Sequence, residues 1–209
     1  QPHLAQWVFV DAQTGDVRMA YASHPEARNR NTYNMRHGTS YASATLVRTE
    51  GSAPVTTATS CTIADINNAH DYAGDTYNFY FSRYGRDSYN NAGAALNSYV
   101  CYSTNYQNAF WDGSKMTYGD GFAAADDVVA HELSHGVTEY ASGLVYSNQS
   151  GALNESYSDI FGEAVDLTNT NGSYGGTDTT VVRWDMGEDI PGIGAIRDMM
   201  DPTRFSDPD

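Results

Sequence analysis

Residues 126–159, DDVVAHELSHGVTEYASGLVYSNQSGALNESYSD, constrain what this chain can fold into more than any other stretch. His131, Glu132 and His135 form H-E-x-x-H, and Glu155 follows twenty residues after His135. Positions i and i+4 of a helix lie one above the other on the same face, so the two imidazoles can point at one ion. Val128, Val129, Ala130, Leu133 and Val137 add an apolar lining at helical spacing, which predicts a packed helix over about residues 125–141. A second helical pattern starts at Gly151 and continues through Ile160, Phe161, Ala164 and Val165. On that helix Glu155 and Asp159 are again i and i+4. One is placed to bind metal and the other to hold a ligand imidazole from behind.

Two neutral imidazoles and one carboxylate suit a tetrahedral zinc that keeps its fourth position open for water. Glu132 adjoins the first ligand, where it can take a proton from that water. A third histidine ligand, as in H-E-x-x-H-x-x-G-x-x-H, is excluded because Thr138 and Ala141 hold the Gly and final His places. Glu139, four residues after His135, is the other local candidate, and a solvated helix carboxylate is its plainer role. The stretch reads as a hydrolytic zinc site.

Upstream, Trp7 to Val10 and Val17 to Ala20 flank DAQTG and predict a β-hairpin. A short strand is expected at residues 44–48. Ile63, Ile66, Ala69, Ala73, Tyr77, Tyr80, Phe81 and Tyr84 follow helical spacing up to Gly85, with the aromatic stripe and His70 read as structural. Residues 96–102 read as a strand, and 108–111 with 115–118 as a hairpin whose edge can pair with an extended peptide. Residues 169–180 form a Gly/Thr/Asn-rich loop, and acids return in RWDMGED at 183–189.

Eleven basic against twenty-six acidic side chains give a net charge of −15, which argues against nucleic acid and anionic membrane as partners. Acidic clusters suit calcium as well as a solvated surface. Cys61 and Cys101 lack metal-type spacing and stand either as a free buried pair or, in an exported protein, as a disulfide. No apolar run is long enough to span a bilayer, and no signal peptide is visible, as expected of a secreted chain whose targeting segment has been removed.

HELSHGVTEYASGLVYSNQSGALNESYSDIFG resembles the core of the thermolysin-like neutral metallopeptidases, which are secreted zinc endopeptidases. The likeness runs from about residue 45 to the C-terminus. It implies an α+β, zincin-like fold, with a β-rich N-terminal region followed by the active-site helices. WVFVDAQTGDV resembles the closing hairpin of the family's inhibitory propeptide, so residues 1–23 are expected to be a pro-segment end. Residues 24–209 are then the catalytic domain, with the mature boundary between Ser23 and Asn31. An extracellular monomer acting on peptides or proteins is expected.

The resemblance also assigns roles. It implies Zn2+ on His131, His135 and Glu155, Glu132 as general base, Tyr146 beside the developing oxyanion, and Asp159 orienting a ligand imidazole. Asn108 and Ala109 would hold the peptide backbone on an edge strand. Arg197 matches an arginine near the primed-side pocket, whose lining would include Val128 and Ile196; an ordinary ion pair is the alternative for it. Ca2+ is implied at Asp127, Asp166, Asp185 and Glu188, with Arg183 repelling a second ion so that at most one binds.

The family's further helical domain supplies a histidine to the transition state, but no histidine follows His135. The expectation is therefore a chain that stops before that domain, with weak or no activity alone. A catalytically incompetent zinc- and calcium-binding fragment or interaction module is the first rival, and a zinc hydrolase of non-peptide substrates the second.

Overall fold

A computed structural model describes residues 6–22, 28–168 and 182–206, with backbone only for 6–9 and 17–22. The predicted 169–180 loop and part of the expected mature boundary lie outside the described residues. The first hairpin, β1 (Gln6–Val10) and β2 (Val17–Ala22), forms a two-stranded antiparallel sheet of its own. The main sheet has five strands: β3 (Arg30–Asn34), β4 (Thr45–Thr49), β5 (Leu96–Val100), β6 (Ala109–Trp111) and β7 (Met116–Tyr118). Their order is β4-β3-β5-β7-β6. The two outer pairs, β3/β4 and β6/β7, are antiparallel, while β3 and β7 both run parallel to β5. β6 is therefore an edge, as the substrate-strand expectation requires.

Three helices follow from local signals. α1 (Ile63–Tyr84) starts at Thr62, whose side-chain oxygen accepts the Asp65 N–H at 2.9 Å, and ends at Gly85 in the left-handed region. Its buried stripe includes Ile66, Ala69, Ala73, Tyr77 and Tyr80, as the periodicity predicts. Ile63 and Tyr84, at the two ends of the same pattern, are 41% and 61% exposed instead. α2 (Asp126–Ser142) carries Asp126 and Asp127 in its first turn, where carboxylates favour the positive end of the helix dipole.

α3 (Asn148–Asp166) differs from expectation in its orientation. Ile160 is 46% exposed, while Val165 is buried as the pattern predicts; the rest of the buried face is small or polar and includes Asn154, Ser158, Gly162, Glu163 and Asp166. That face lies against α2, and a side chain at Gly162 would meet the Asp127 carbonyl oxygen at 2.7 Å. Size, rather than hydrophobicity, sets how closely the two helices approach.

α1 packs across β3, β4 and β5, and α2 packs against β6 and β7. Alternate residues of β5 (Leu96, Ser98, Val100) are buried, as a strand with one covered face requires. The core joins Ile66, Tyr72, Leu96, Met116, Tyr118, Val129 and Leu133 into one cluster. Burying each large apolar side chain contributes about 1.5–3 kcal/mol. Cys61 and Cys101 are joined, with Cα atoms 5.6 Å apart, tying the entry of α1 to the end of β5. A bridge closing a loop of this size contributes about 2–4 kcal/mol. Two short strands, β8 (Asp185–Met186) and β9 (Arg197–Asp198), pair antiparallel beside α3. No helix of the described residues is long and apolar enough to cross a membrane.

Candidate metal centre and substrate cleft

One turn of α2 separates His131 from His135, and their Nε2 atoms face each other at 2.9 Å with the rings edge to face. α3 brings Glu155 to the same point: its Oε2 lies 3.3 Å from His131 Nε2 and its Oε1 3.5 Å from His135 Nε2. The opposite ring nitrogens are tied to acceptors. His131 Nδ1 donates to Asp159 Oδ1 at 2.7 Å, and His135 Nδ1 donates to Asn154 Oδ1 at 2.6 Å, with Ser158 Oγ also 3.1 Å away. These partners place the Nδ1 protons and leave both Nε2 lone pairs aimed at each other and at a carboxylate. Two converging lone pairs with an anion form a donor set that fits a divalent cation.

Electrostatics agree with that fit. Burial works against a charged His131, but hydrogen bonds to Asp159 and Glu155 raise its pKa to about 9. A metal ion would displace that proton. Burial alone would raise Glu155, yet its bonds from His131 and Tyr146 bring it down to about 2. His135 is lowered, by burial and then by the charge of His131.

Glu132 is buried beside the two histidines, with the Trp111 backbone N–H pointing at its carboxylate. Its Oε2 has no hydrogen-bond partner. Burial, with the charge of Glu155 adding to it and those of His131 and Arg197 opposing, raises its pKa to about 7. Tyr146, 65% exposed, places its ring edge to face with His135 and donates its hydroxyl to Glu155 Oε1. That bond, then burial, raises the phenol to about 12.

These groups open onto a cleft of about 730 Å³ bounded by the outer edge of β6. Asn108, Ala109, Val128, Ile196 and Arg197 line it, as expected from sequence. Arg197 is also in an ion pair: its Nε and Nη2 donate to Asp159 Oδ2 and Oδ1 at 2.9 and 2.6 Å. The ion pair named as the alternative is thus present, on a residue that also lines the cleft.

The second acidic cluster differs in part from expectation. Asp127 and Glu188 come together with Glu163, their carboxylates within 4.8 Å of one another. Asp166 is buried close by in sequence on α3, but Asp185 is engaged by Arg204 at 3.0 and 2.9 Å. Asp127, raised by burial, accepts the N–H groups of Gly187 and Val128. Two further groups of possible ligands include the sulfurs of the Cys61–Cys101 bridge and so offer no thiolate.

Sequence reasoning missed Asn154, Ser158 and Glu163. Asn154 had a signal: the residue beside a helical ligand faces the same neighbouring helix, and His135 needed an acceptor for its Nδ1. Glu163, one turn beyond Asp159 on the same helix, had a similar signal.

The family pattern described as "Thermolysin metallopeptidase, catalytic domain" matches residues 8–139, and "Thermolysin metallopeptidase, alpha-helical domain" matches residues 142–209. The helical domain is thus represented in part, which corrects the expectation that the chain stops before it. Bacillolysin of Bacillus cereus is 48% identical over 153 residues, covering 68% of this chain and 25% of the relative. Thermolysin of Alicyclobacillus acidocaldarius subsp. acidocaldarius is 47% identical over 154 residues, covering 68% and 26%. The chain thus spans about a quarter of the length of these curated relatives. The precursor of protealysin, a metalloproteinase from Serratia proteamaculans, superposes with a TM-score of 0.62 at 40% identity, over 70% of this chain and 45% of that one. Both halves of the site therefore lie in matched sequence, and the chain belongs to the thermolysin metallopeptidase family.

Proposed function

We propose that the chain carries the catalytic centre of a secreted zinc-dependent endopeptidase. The observation that carries this reading is the convergence of His131 Nε2, His135 Nε2 and Glu155 within 3.5 Å beside the buried Glu132, at the floor of a cleft with an open strand edge. Zinc bound there would polarise the scissile carbonyl and lower the pKa of a water. Asp159 and Asn154 hold the two imidazoles in the ligating tautomer. Glu132 takes the proton of the attacking water and returns it to the leaving amine. The Tyr146 hydroxyl, on the rim, donates to the oxygen on which charge develops. The outer edge of β6 pairs with the peptide backbone through Asn108 and Ala109, and Arg197 lies among apolar residues on the primed side.

The test is metal content and peptide hydrolysis of the full protein. Zinc should co-purify, and chelation should abolish cleavage until zinc is returned. Glu132→Gln should keep zinc while losing about 10²–10⁴-fold in kcat. Cleavage that persists without metal, or an active Glu132→Gln variant, sinks the proposal.

Two smaller assignments accompany it. One calcium ion is assigned to the cluster of Asp127, Glu163 and Glu188, with Asp166 and Asp185 as the further oxygen donors that the family resemblance implies; acidic oxygens of the first three within 4.8 Å support it. Residues 1–23, which carry the β1–β2 hairpin, are assigned as the end of a pro-segment, supported by the hairpin's separate sheet and the likeness to a precursor. The catalytic-domain match starting at residue 8 supports the opposite assignment. The N-terminal residue of the secreted protein decides: a start between Ser23 and Asn31 keeps the hairpin as pro-segment, and a start before residue 8 removes it.

A further inference from the structure

The cleft is electrically two-ended. Arg197, held by Asp159 and under the influence of Asp127, faces the first half of α2. Glu139 lines the cleft twelve residues further along α2 than Asp127, about 18 Å at the helical rise. The two histidines stand between. Asp112 also lines the Glu139 end, but its charge is taken by Lys115. Among the described residues no cation is paired with Glu139.

Its carboxylate is nevertheless held in place. The Trp111 indole N–H donates to Glu139 Oε2 at 3.0 Å. The indole is fixed by edge-to-face contact with Tyr89 and by close packing on Gly136, where a side chain would meet the ring at 2.9 Å. On the open side stands Gly113. A Cβ there would be 4.0 Å from each Glu139 oxygen, so the missing side chain leaves an approach to the carboxylate. An anchored, accessible and unneutralised carboxylate on a substrate cleft favours a cation.

We infer that Glu139 determines specificity by receiving a lysine or arginine side chain on the amino side of the scissile bond. The inference rests on the peptidase reading. A peptide antiparallel to β6 runs from the Gly113 end to the Asn108 end, which lays its amino-terminal half beside Glu139 and its carboxyl-terminal half towards Arg197.

The experiment uses the zinc-loaded full protein and peptide pairs identical except for lysine or glutamine at one position, scanned on both sides of the cut. Each pair competes in one tube, and mass spectrometry reads the ratio of kcat/KM. The parent should prefer lysine at an amino-side position by about three- to fivefold at low ionic strength, falling towards one at about 0.5 M salt. Glu139→Gln, which keeps an acceptor for Trp111, should bring the ratio to about one. Glu139→Lys should reverse it for lysine/glutamate pairs. A misfolded fraction lowers both rates by the same factor, so the ratio reports only the folded variant. An unchanged ratio in Glu139→Gln, a preference confined to the carboxyl side, or equal cleavage of both peptides by the parent overturns this assignment alone. If neither peptide is cut, the peptidase reading falls and takes this one with it.

Discussion

Arg197 grips both carboxylate oxygens of Asp159 at 2.9 and 2.6 Å, and Oδ1 of the same carboxylate accepts from His131 at 2.7 Å. A residue of β9 thereby sets the orientation of an imidazole on α2 through a side chain of α3. Asp159 is held below the usual carboxylate range: burial would raise it, and His131 and Arg197 more than reverse that.

Asp159→Ala and Asn154→Ala each remove the side-chain oxygen that accepts from one imidazole while leaving all three ligand atoms in place. Each should weaken zinc binding about 10–100-fold, measured by competition with a chromogenic chelator. Unchanged affinity in either variant would show that helix packing alone orients that ring.

Gly162→Ala places a methyl group where only 2.7 Å separates it from the Asp127 carbonyl. Moving α3 away from α2 should cost about 1–3 kcal/mol of stability. It should also weaken zinc binding, because Glu155 rides on α3. Denaturant unfolding and chelator competition read the two effects separately. A loss of stability with normal zinc affinity would show that the helices adjust locally.

His70 gives a pH dependence remote from the metal centre. It is buried between α1 and the sheet, with Thr32 Oγ1 at 3.0 Å, and faces Arg30, Arg48, Asp71 and Glu50. Burial, then the two arginines, lowers its pKa from 6.5 to about 4. The unfolded chain therefore binds more protons between these values, so this contribution is intact above pH 6.5 and is lost as pH falls towards 4. The loss is on the order of 3 kcal/mol. His70→Gln should flatten the fall in a urea titration series over that window. Glu50 acts lower down: burial raises its pKa, but Arg30 and Arg28 bring it to about 2, so its share is present above the usual carboxylate range and lost as pH falls towards 2.

Glu188→Gln should lower the melting temperature in calcium and leave it almost unchanged in chelator, because the side chain contributes through the ion. Equal losses in both conditions would mean that the carboxylate acts through protein contacts, and the calcium assignment would fail.

Much of this was legible in sequence wherever the signal was local. H-E-x-x-H placed two imidazoles on one helical face because 3.6 residues per turn allow little else. Gly85 marked the end of α1 through its capping chemistry, and the segments 108–111 and 115–118 announced the β6/β7 hairpin. Glu155 and Asp159 were readable as a pair for the same short-range reason.

Tertiary structure alone decided the rest. Nothing local dictates that β3 joins β5 in parallel, that Cys61 meets Cys101, or that Arg197 reaches Asp159 across 38 positions. The buried face of α3 misled the hydrophobic pattern, since a helix lining a polar site buries Asn154, Ser158 and Gly162 and turns Ile160 outward. Periodicity reports which side of an element is apolar, and so reads the core well. It does not report which polar groups must find each other once water is excluded; that pairing depends on the packing of distant segments. The sequence by itself determined the ligand types and their helix. The fold decided their partners, their charges and the cleft they face.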